Sequence, residues 1–274
     1  MSPDTRAGNW DACAGYHYDD TTLKGFSHTH LSGTGCIDLG DILFRPTTLK
    51  PDLTAESICR PANFSHKDER ASAGYYSVIL KDEGIKAELT ATTHTGMHRY
   101  TFPSGKPVTI IVDLAHLLDN EYIYEAELER TTSNEIVGMR RTRGWTDNQY
   151  VYFAAQFSEP FQTVEFVQDK KIVSAETKQV GTDLQAILTF ADKDGEPIIA
   201  KVGLSLVSVD NARKNLAEEV KDFNFDAVCA AARNDWEQAL SSITVEGGGT
   251  DDLKNFYTAI YHAMVVPNLS LIHI

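Results

Sequence analysis

What this sequence has little of narrows it before any motif is read. Its 274 residues include only four cysteines, Cys13, Cys36, Cys59 and Cys229. They form no C-x-x-C pair and have no histidine at zinc-finger spacing, which argues against a structural zinc module. One or two disulfides and buried thiols are both compatible with that spacing. Positive charge is scarce, with 25 Lys and Arg against 39 Asp and Glu, a net charge of −14. Nucleic-acid binding draws most of its non-specific affinity from clustered cations on phosphates, so no nucleic-acid partner is expected and neutral ligands such as sugars fit better. No apolar run approaches the ~20 residues that a membrane span requires. The opening MSPDTRAGNWDAC lacks the apolar core of a secretory signal.

A 42% hydrophobic content supplies a real core. From about Tyr75 to Val209, short runs rich in β-branched and aromatic residues, such as IKAELTAT, PVTIIVDL and YVYFAAQF, alternate with turn sequences. Lys81-Asp82-Glu83-Gly84, Pro103-Ser104-Gly105-Lys106-Pro107 and Asp192-Lys193-Asp194-Gly195 are such turns, the last ending in the Asp-Gly pair that favours positive φ. Closely spaced strands of this kind predict a β-sandwich. After Val209 the period changes to that of helices. Asp210 and Asn224 are candidate caps for two of them, and Phe225, Val228, Cys229, Ala232, Trp236 and Leu240 form one apolar face. Thr250 is the candidate cap of a third helix, whose stripe is Leu253, Phe256, Tyr257, Ile260, Tyr261 and Met264. The expected division is a sandwich over 1–209, a helical linker over 210–249 and the start of a helical domain over 250–268. The last six residues, LSLIHI (269–274), read as a sequencing-adapter scar and are set aside.

GFSHTHLSGTGCIDLGDI, from Gly25 to Ile42, concentrates polar and glycine residues. It lacks the Gly-Lys-Ser/Thr ending of a phosphate loop, and Asp38 stands where a dinucleotide fingerprint needs glycine. Neither Ser27 nor Ser32 sits in a Gly-x-Ser-x-Gly elbow. In an extended chain His28 and His30 share a face, with Asp38 or Asp41 able to add oxygen, so metal binding and hydrogen-bonded loop roles both stay open. The many acidic residues leave acid–base pairs unassigned by spacing alone. Trp145, between strand-like runs, reads as a core residue rather than as an exposed sugar platform.

The stretch GYHYDDTTLKGFSHTHLSGTGCIDLGDILFRPT (15–47) closely resembles the N-terminal hallmark of glycoside hydrolase family 92, calcium-dependent exo-α-mannosidases. GMRRTRGWTDNQYVYFAAQFSEPF (138–161), LSLVSVDNARKNLAEE (204–219) and NFYTAIYHAMVVPN (255–268) are similar to later segments of that family, in the same order. The resemblance implies a mainly β fold: a large antiparallel β-sandwich (supersandwich), then linker helices and the first helix of a truncated (α/α)6 barrel. It implies a fragment of a bacterial enzyme that hydrolyses terminal α-mannosyl linkages with inversion, with calcium and the catalytic acid and base in the missing part of the chain. No catalytic residue or metal ligand is therefore assigned here, and the fragment alone is expected to be inactive. The sandwich is expected to form one wall of the substrate pocket, with His28, His30, Cys36, Asp38 and Leu39 as substrate-binding candidates. The implied partners are mannose-containing glycans and the missing barrel, and the implied location of the parent is periplasmic, cell-surface or secreted. Two other readings remain: a non-catalytic carbohydrate-binding sandwich, and a different sugar-active enzyme of this architecture, such as a glycoside phosphorylase.

Overall fold

A computed structural model describes residues 1–5, 14–31, 37–56, 58–118, 122–173 and 177–265. Cys13, Cys36 and the segment 269–274 lie outside the described residues. The first strands are β1 (Ser2–Asp4), β2 (Thr22–Leu23), β3 (Gly25–Ser27), β4 (Leu43–Thr47), β5 (Ala62–Asn63), β6 (Arg70–Ser72), β7 (Tyr75–Leu80), β8 (Ile85–Ala91) and β9 (Thr95–Thr101). They are followed by β10 (Val108–Asp113), β11 (Tyr122–Arg130), β12 (Glu135–Arg143), β13 (Gln149–Phe157), β14 (Thr163–Gln168), β15 (Lys171–Val173), β16 (Lys178–Gly181), β17 (Leu184–Phe190) and β18 (Ile198–Ser205). Three helices close the chain: α1 (Val209–Glu219), α2 (Phe225–Leu240) and α3 (Thr250–Val265).

The strands build a seven-stranded sheet in the order β1-β3-β4-β10-β17-β14-β15 and a nine-stranded sheet in the order β16-β11-β12-β13-β18-β9-β8-β7-β6. Every pairing is antiparallel among the described strands. Side chains alternate between the two faces of a strand, so each sheet sends one set inward. Phe26, Phe44 and Phe190 from the smaller sheet meet Tyr100, Phe153 and Phe157 from the larger in one buried core. The mainly β antiparallel sandwich expected from the sequence is the fold, and the Asp194-Gly195 turn has positive φ at both residues (53° and 87°).

Helices α1 and α2 pack on the outer face of the larger sheet, and α3 packs against α2. Gly203 permits the close approach of α1, since a Cβ there would lie 2.3 Å from the Ala212 carbonyl oxygen. Arg213 of α1 clasps Glu135 of β12 with its Nε and a terminal nitrogen, at 3.1 and 2.8 Å. Arg99 of β9 grips Glu88 through two hydrogen bonds of 2.9 Å, reaches Asp226 of α2 at 2.8 Å and lies 4.3 Å over the Phe225 ring. The caps differ in part from those expected. Ser208, not Asp210, caps α1, because the chain is extended at Ser208 and its hydroxyl accepts from the Asn211 N–H. Asn224 caps α2 as expected. Thr250 is already helical in α3, and the Asp252 carboxylate reaches back to the Gly249 N–H at 2.8 Å. The apolar face of α2 is turned inward from Phe225 to Leu240, whereas α3 has no fully buried residue.

Candidate functional site

The segment singled out in the sequence extends the β3–β4 pairing into a long hairpin. The His28 N–H donates to the Asp41 carbonyl (3.0 Å), the Gly40 N–H donates to the Thr29 carbonyl (2.8 Å), and His30 bridges Leu39. The hairpin's returning arm is bent, with Leu39, Gly40 and Ile42 at φ of 74°, 79° and 60°. Two of these residues are not glycine, and such backbone costs on the order of 1–3 kcal/mol each where surroundings enforce it. The enforcing contacts are polar. The Thr29 hydroxyl donates to Asp41 Oδ2 (2.7 Å) and accepts the Asp41 N–H (2.9 Å). Arg140 Nε lies 3.1 Å from Asp41 Oδ1, both side chains being 1% exposed. The same guanidinium donates to the His116 carbonyl, so a buried cation on β12 ties the hairpin to the segment after β10.

His28 faces the core. Its Nδ1–H donates to the Ile42 carbonyl (2.7 Å), which leaves Nε2 to accept from His98 Nε2 (2.9 Å), and Tyr100 in turn donates to His98 Nδ1 (2.7 Å). This relay is self-consistent only with both imidazoles neutral. Burial pushes His28 down to about 3 and His98 well below the ordinary histidine range, with His28 further disfavouring charge on His98.

His30 has a different set of partners. Its Nε2 donates to Asp4 Oδ1 (2.7 Å), with Ser27 Oγ 2.8 Å away, and His116 Nε2 donates to Asp4 Oδ2 (2.9 Å). Burial alone would raise the Asp4 carboxyl, but His30 and His116 hold it well below the usual carboxylate range. The nitrogens are spent on Asp4 rather than aimed at a common space. Among the described residues no group of three or more His, Cys, Asp or Glu could hold a metal ion. His116 also lines a cavity of about 490 Å³ with Lys24, Cys59, Asp113, Tyr122 and Gln185.

Asp38 is buried, and one of its oxygens accepts the Leu39 N–H (2.9 Å) while the other accepts the Trp145 N–H (3.0 Å) from the β12–β13 turn. The structure thus joins Asp38 and Leu39 to Trp145, whereas His28 is engaged with His98 and His30 with Asp4. Cys36 lies outside the described residues. Trp145 corrects the expectation of a core residue: it is 65% exposed, because it sits on the turn beyond the sheet and not within a strand. Asp4, His98, His116 and Arg140 were not singled out by the sequence. Tyr100, two residues from His98, apart, their partners lie 24 to 112 residues away, and no local spacing announces such pairs.

A bent hairpin held at one end of a large sandwich by buried carboxylates, with an indole beside it, has the makings of a ligand-facing edge. Comparison with known proteins identifies the class as a glycosyl hydrolase. Residues 1–205 match the glycosyl hydrolase family 92 N-terminal domain, and residues 211–271 match the family's catalytic domain. The chain belongs to glycoside hydrolase family 92. A family GH92 α-mannosidase from Bacteroides thetaiotaomicron, solved with mannoimidazole, is 36% identical with a TM-score of 0.90 over 96% of this chain. An inverting mannosidase of the same family and species is 26% identical with a TM-score of 0.83, again over 96% of this chain. A protein of Arthroderma benhamiae named as an uncharacterized secreted glycosidase is 26% identical over 92% of this chain. The chain spans about a third of these relatives, 36%, 34% and 36% of their respective lengths. No helix among the described residues is long and apolar enough to cross a membrane.

Proposed function

We propose that this chain is part of an exo-acting α-mannosidase that hydrolyses terminal α-mannosyl linkages of glycans with inversion, and that the His28–Asp41 hairpin forms one wall of its substrate pocket. The observation that carries the reading is the likeness to the Bacteroides α-mannosidase over 96% of the chain; the inverting relative supports the stereochemistry. In an inverting glycosidase one carboxylic acid protonates the departing oxygen while a carboxylate activates water on the opposite face of the sugar. We assign both groups to the part of the protein beyond this chain, with residues 1–209 as the sandwich, 210–249 as the linker and α3 as the first helix of an (α/α)6 barrel.

Calcium belongs to the same proposal. The described residues do not fit such a site: none of their groups of three or more His, Cys, Asp or Glu could hold a metal ion, the Asp41 carboxylate is engaged by Arg140 and Thr29, and that of Asp4 by His30 and His116. No step of the reaction is therefore routed through this fragment's side chains. What they do is hold a wall. Asp38 fixes the turn and Leu39, Asp41 and Arg140 fix the bend, while His28 and His30 act as positioning residues. The name of the Arthroderma relative supports an exported parent. The test is activity of the complete gene product. It should release mannose from α-mannosides and lose that activity on chelation of calcium; failure to release mannose in the presence of calcium overturns the reading.

A further inference from the structure

We infer that the cavity of about 490 Å³ beside β10 and β17 binds a free hexose. Asp113 of β10 stands opposite Gln185 of β17 on one side and opposite Leu43 of β4 on the other, so the cavity lies at the end of the smaller sheet where the hairpin enters β4. Val112 and Ala186 point into the sandwich core. Alternation therefore sends Asp113 and Gln185 to the opposite face of the sheet, which Ile58 and Cys59 cover together with Ile111 and Ile187.

The residue that asks for a ligand is Gln185. It is 4% exposed, and its amide has one orientation, because Nε2 donates to Asp183 Oδ1 at 2.7 Å and a carboxylate takes only a donor. The other end of the amide, Oε1, is buried without a hydrogen-bond partner among the described residues. Folded proteins pair nearly all such oxygens, since leaving one dry and unpaired costs stability. On a cavity wall, that oxygen calls for a hydroxyl or amine hydrogen from an occupant.

Charge balance selects the occupant. Lys24 and Lys170 line the cavity with Glu56, Asp113 and Asp183. An anion would meet three carboxylates. A metal ion would meet two ammonium groups, and no group of three or more His, Cys, Asp or Glu among the described residues could hold one. A neutral molecule rich in hydroxyls donates to Gln185 and the carboxylates while accepting from the lysines. Ile58, Leu117 and Ile123 add apolar wall for the C–H groups of a sugar ring. The volume is near the lower end of the ~300–1,000 Å³ usual for small-ligand pockets, which suits a small sugar rather than a long glycan.

The cavity also touches the hairpin's supports. His116 lines it and donates to Asp4, whose other oxygen is held by His30. The hexose class rests on the cavity's own chemistry; the choice of mannose, the sugar that the proposed reaction releases, rests on that reading.

The test is hydrogen–deuterium exchange of the complete gene product in D-mannose and, separately, in inorganic phosphate. With mannose at ten times its measured Kd, amides of 58–61, 113–117 and 182–185 should exchange about tenfold more slowly, and phosphate should leave them unchanged. Gln185→Leu should abolish that protection. Lys24→Met, at a half-buried position that a folded chain tolerates, should weaken it and serves if the first variant does not fold. Protection confined to 25–31, protection by phosphate, no protection, or protection that survives both variants overturns the inference and leaves the proposed function standing. Mannose protection of the cavity segments in a gene product that releases no mannose from α-mannosides supports the inference and overturns the proposed function.

Discussion

Two buried histidines make the sandwich sensitive to acid. His28 and His98 are neutral in the fold, where burial holds both below the ordinary range, His28 at about 3. In the unfolded chain a histidine takes up a proton near pH 6.5. Below that pH the unfolded state binds more protons, so stability is full above about 6.5 and falls as pH drops toward 3, by up to ~1.4 kcal/mol per pH unit for each histidine. Urea titrations at pH 7, 6, 5 and 4 should show this decline, and His98→Phe should flatten it even if it lowers stability at pH 7. A slope unchanged in the variant contradicts the assigned relay. Asp38 gives a second residue-scale expectation. Asp38→Ala leaves the Leu39 and Trp145 N–H groups without their acceptor, which should cost roughly 1–3 kcal/mol in a denaturant midpoint shift. At this scale the sequence was least legible. It marked His28, His30, Asp38 and Leu39 as special, but not that His28 turns inward to a histidine 70 residues away or that His30 shares Asp4 with His116. Such pairs are made by sheet packing, which leaves no trace in local spacing.

Among elements, the attachment of the helices is the point most sensitive to change. Gly203→Ala places a Cβ against the Ala212 carbonyl, a backbone atom that yields only if α1 moves. It should cost about 1–3 kcal/mol and reduce hydrogen-exchange protection in α1 more than in β10. Arg99→Met removes the cation that binds Glu88 on β8 and Asp226 on α2. It should cost roughly 1.5–3 kcal/mol by thermal or chemical denaturation and loosen α2 selectively. Elements were the most legible scale. β8, β10 and β13 fall where IKAELTAT, PVTIIVDL and YVYFAAQF placed strands, since alternation and β-branching act locally. The apolar spacing of α2 likewise identified the face that packs. The errors lie at ends and turns. Ser208 rather than Asp210 begins α1 because the cap depends on which residue turns extended, and Trp145 is exposed because strand patterning does not reach into the turn.

For the whole molecule, the sandwich has its own core, but the last helix does not complete one. Leu253, Tyr257 and Tyr261 of α3 line a cavity of about 580 Å³ with Ala71, Ala73 and Leu240. A helix of 16 residues with no fully buried side chain gains its stability from neighbours. In the proposed enzyme these are further helices of the barrel, which also bring acid, base and calcium to the hairpin wall. The most direct test is proton NMR of the complete gene product acting on an α-mannobiose with calcium present. The account predicts that the first free mannose released from the non-reducing end is the β-anomer, relaxing to the α/β mixture by mutarotation. Initial release of α-mannose, or no release, contradicts it.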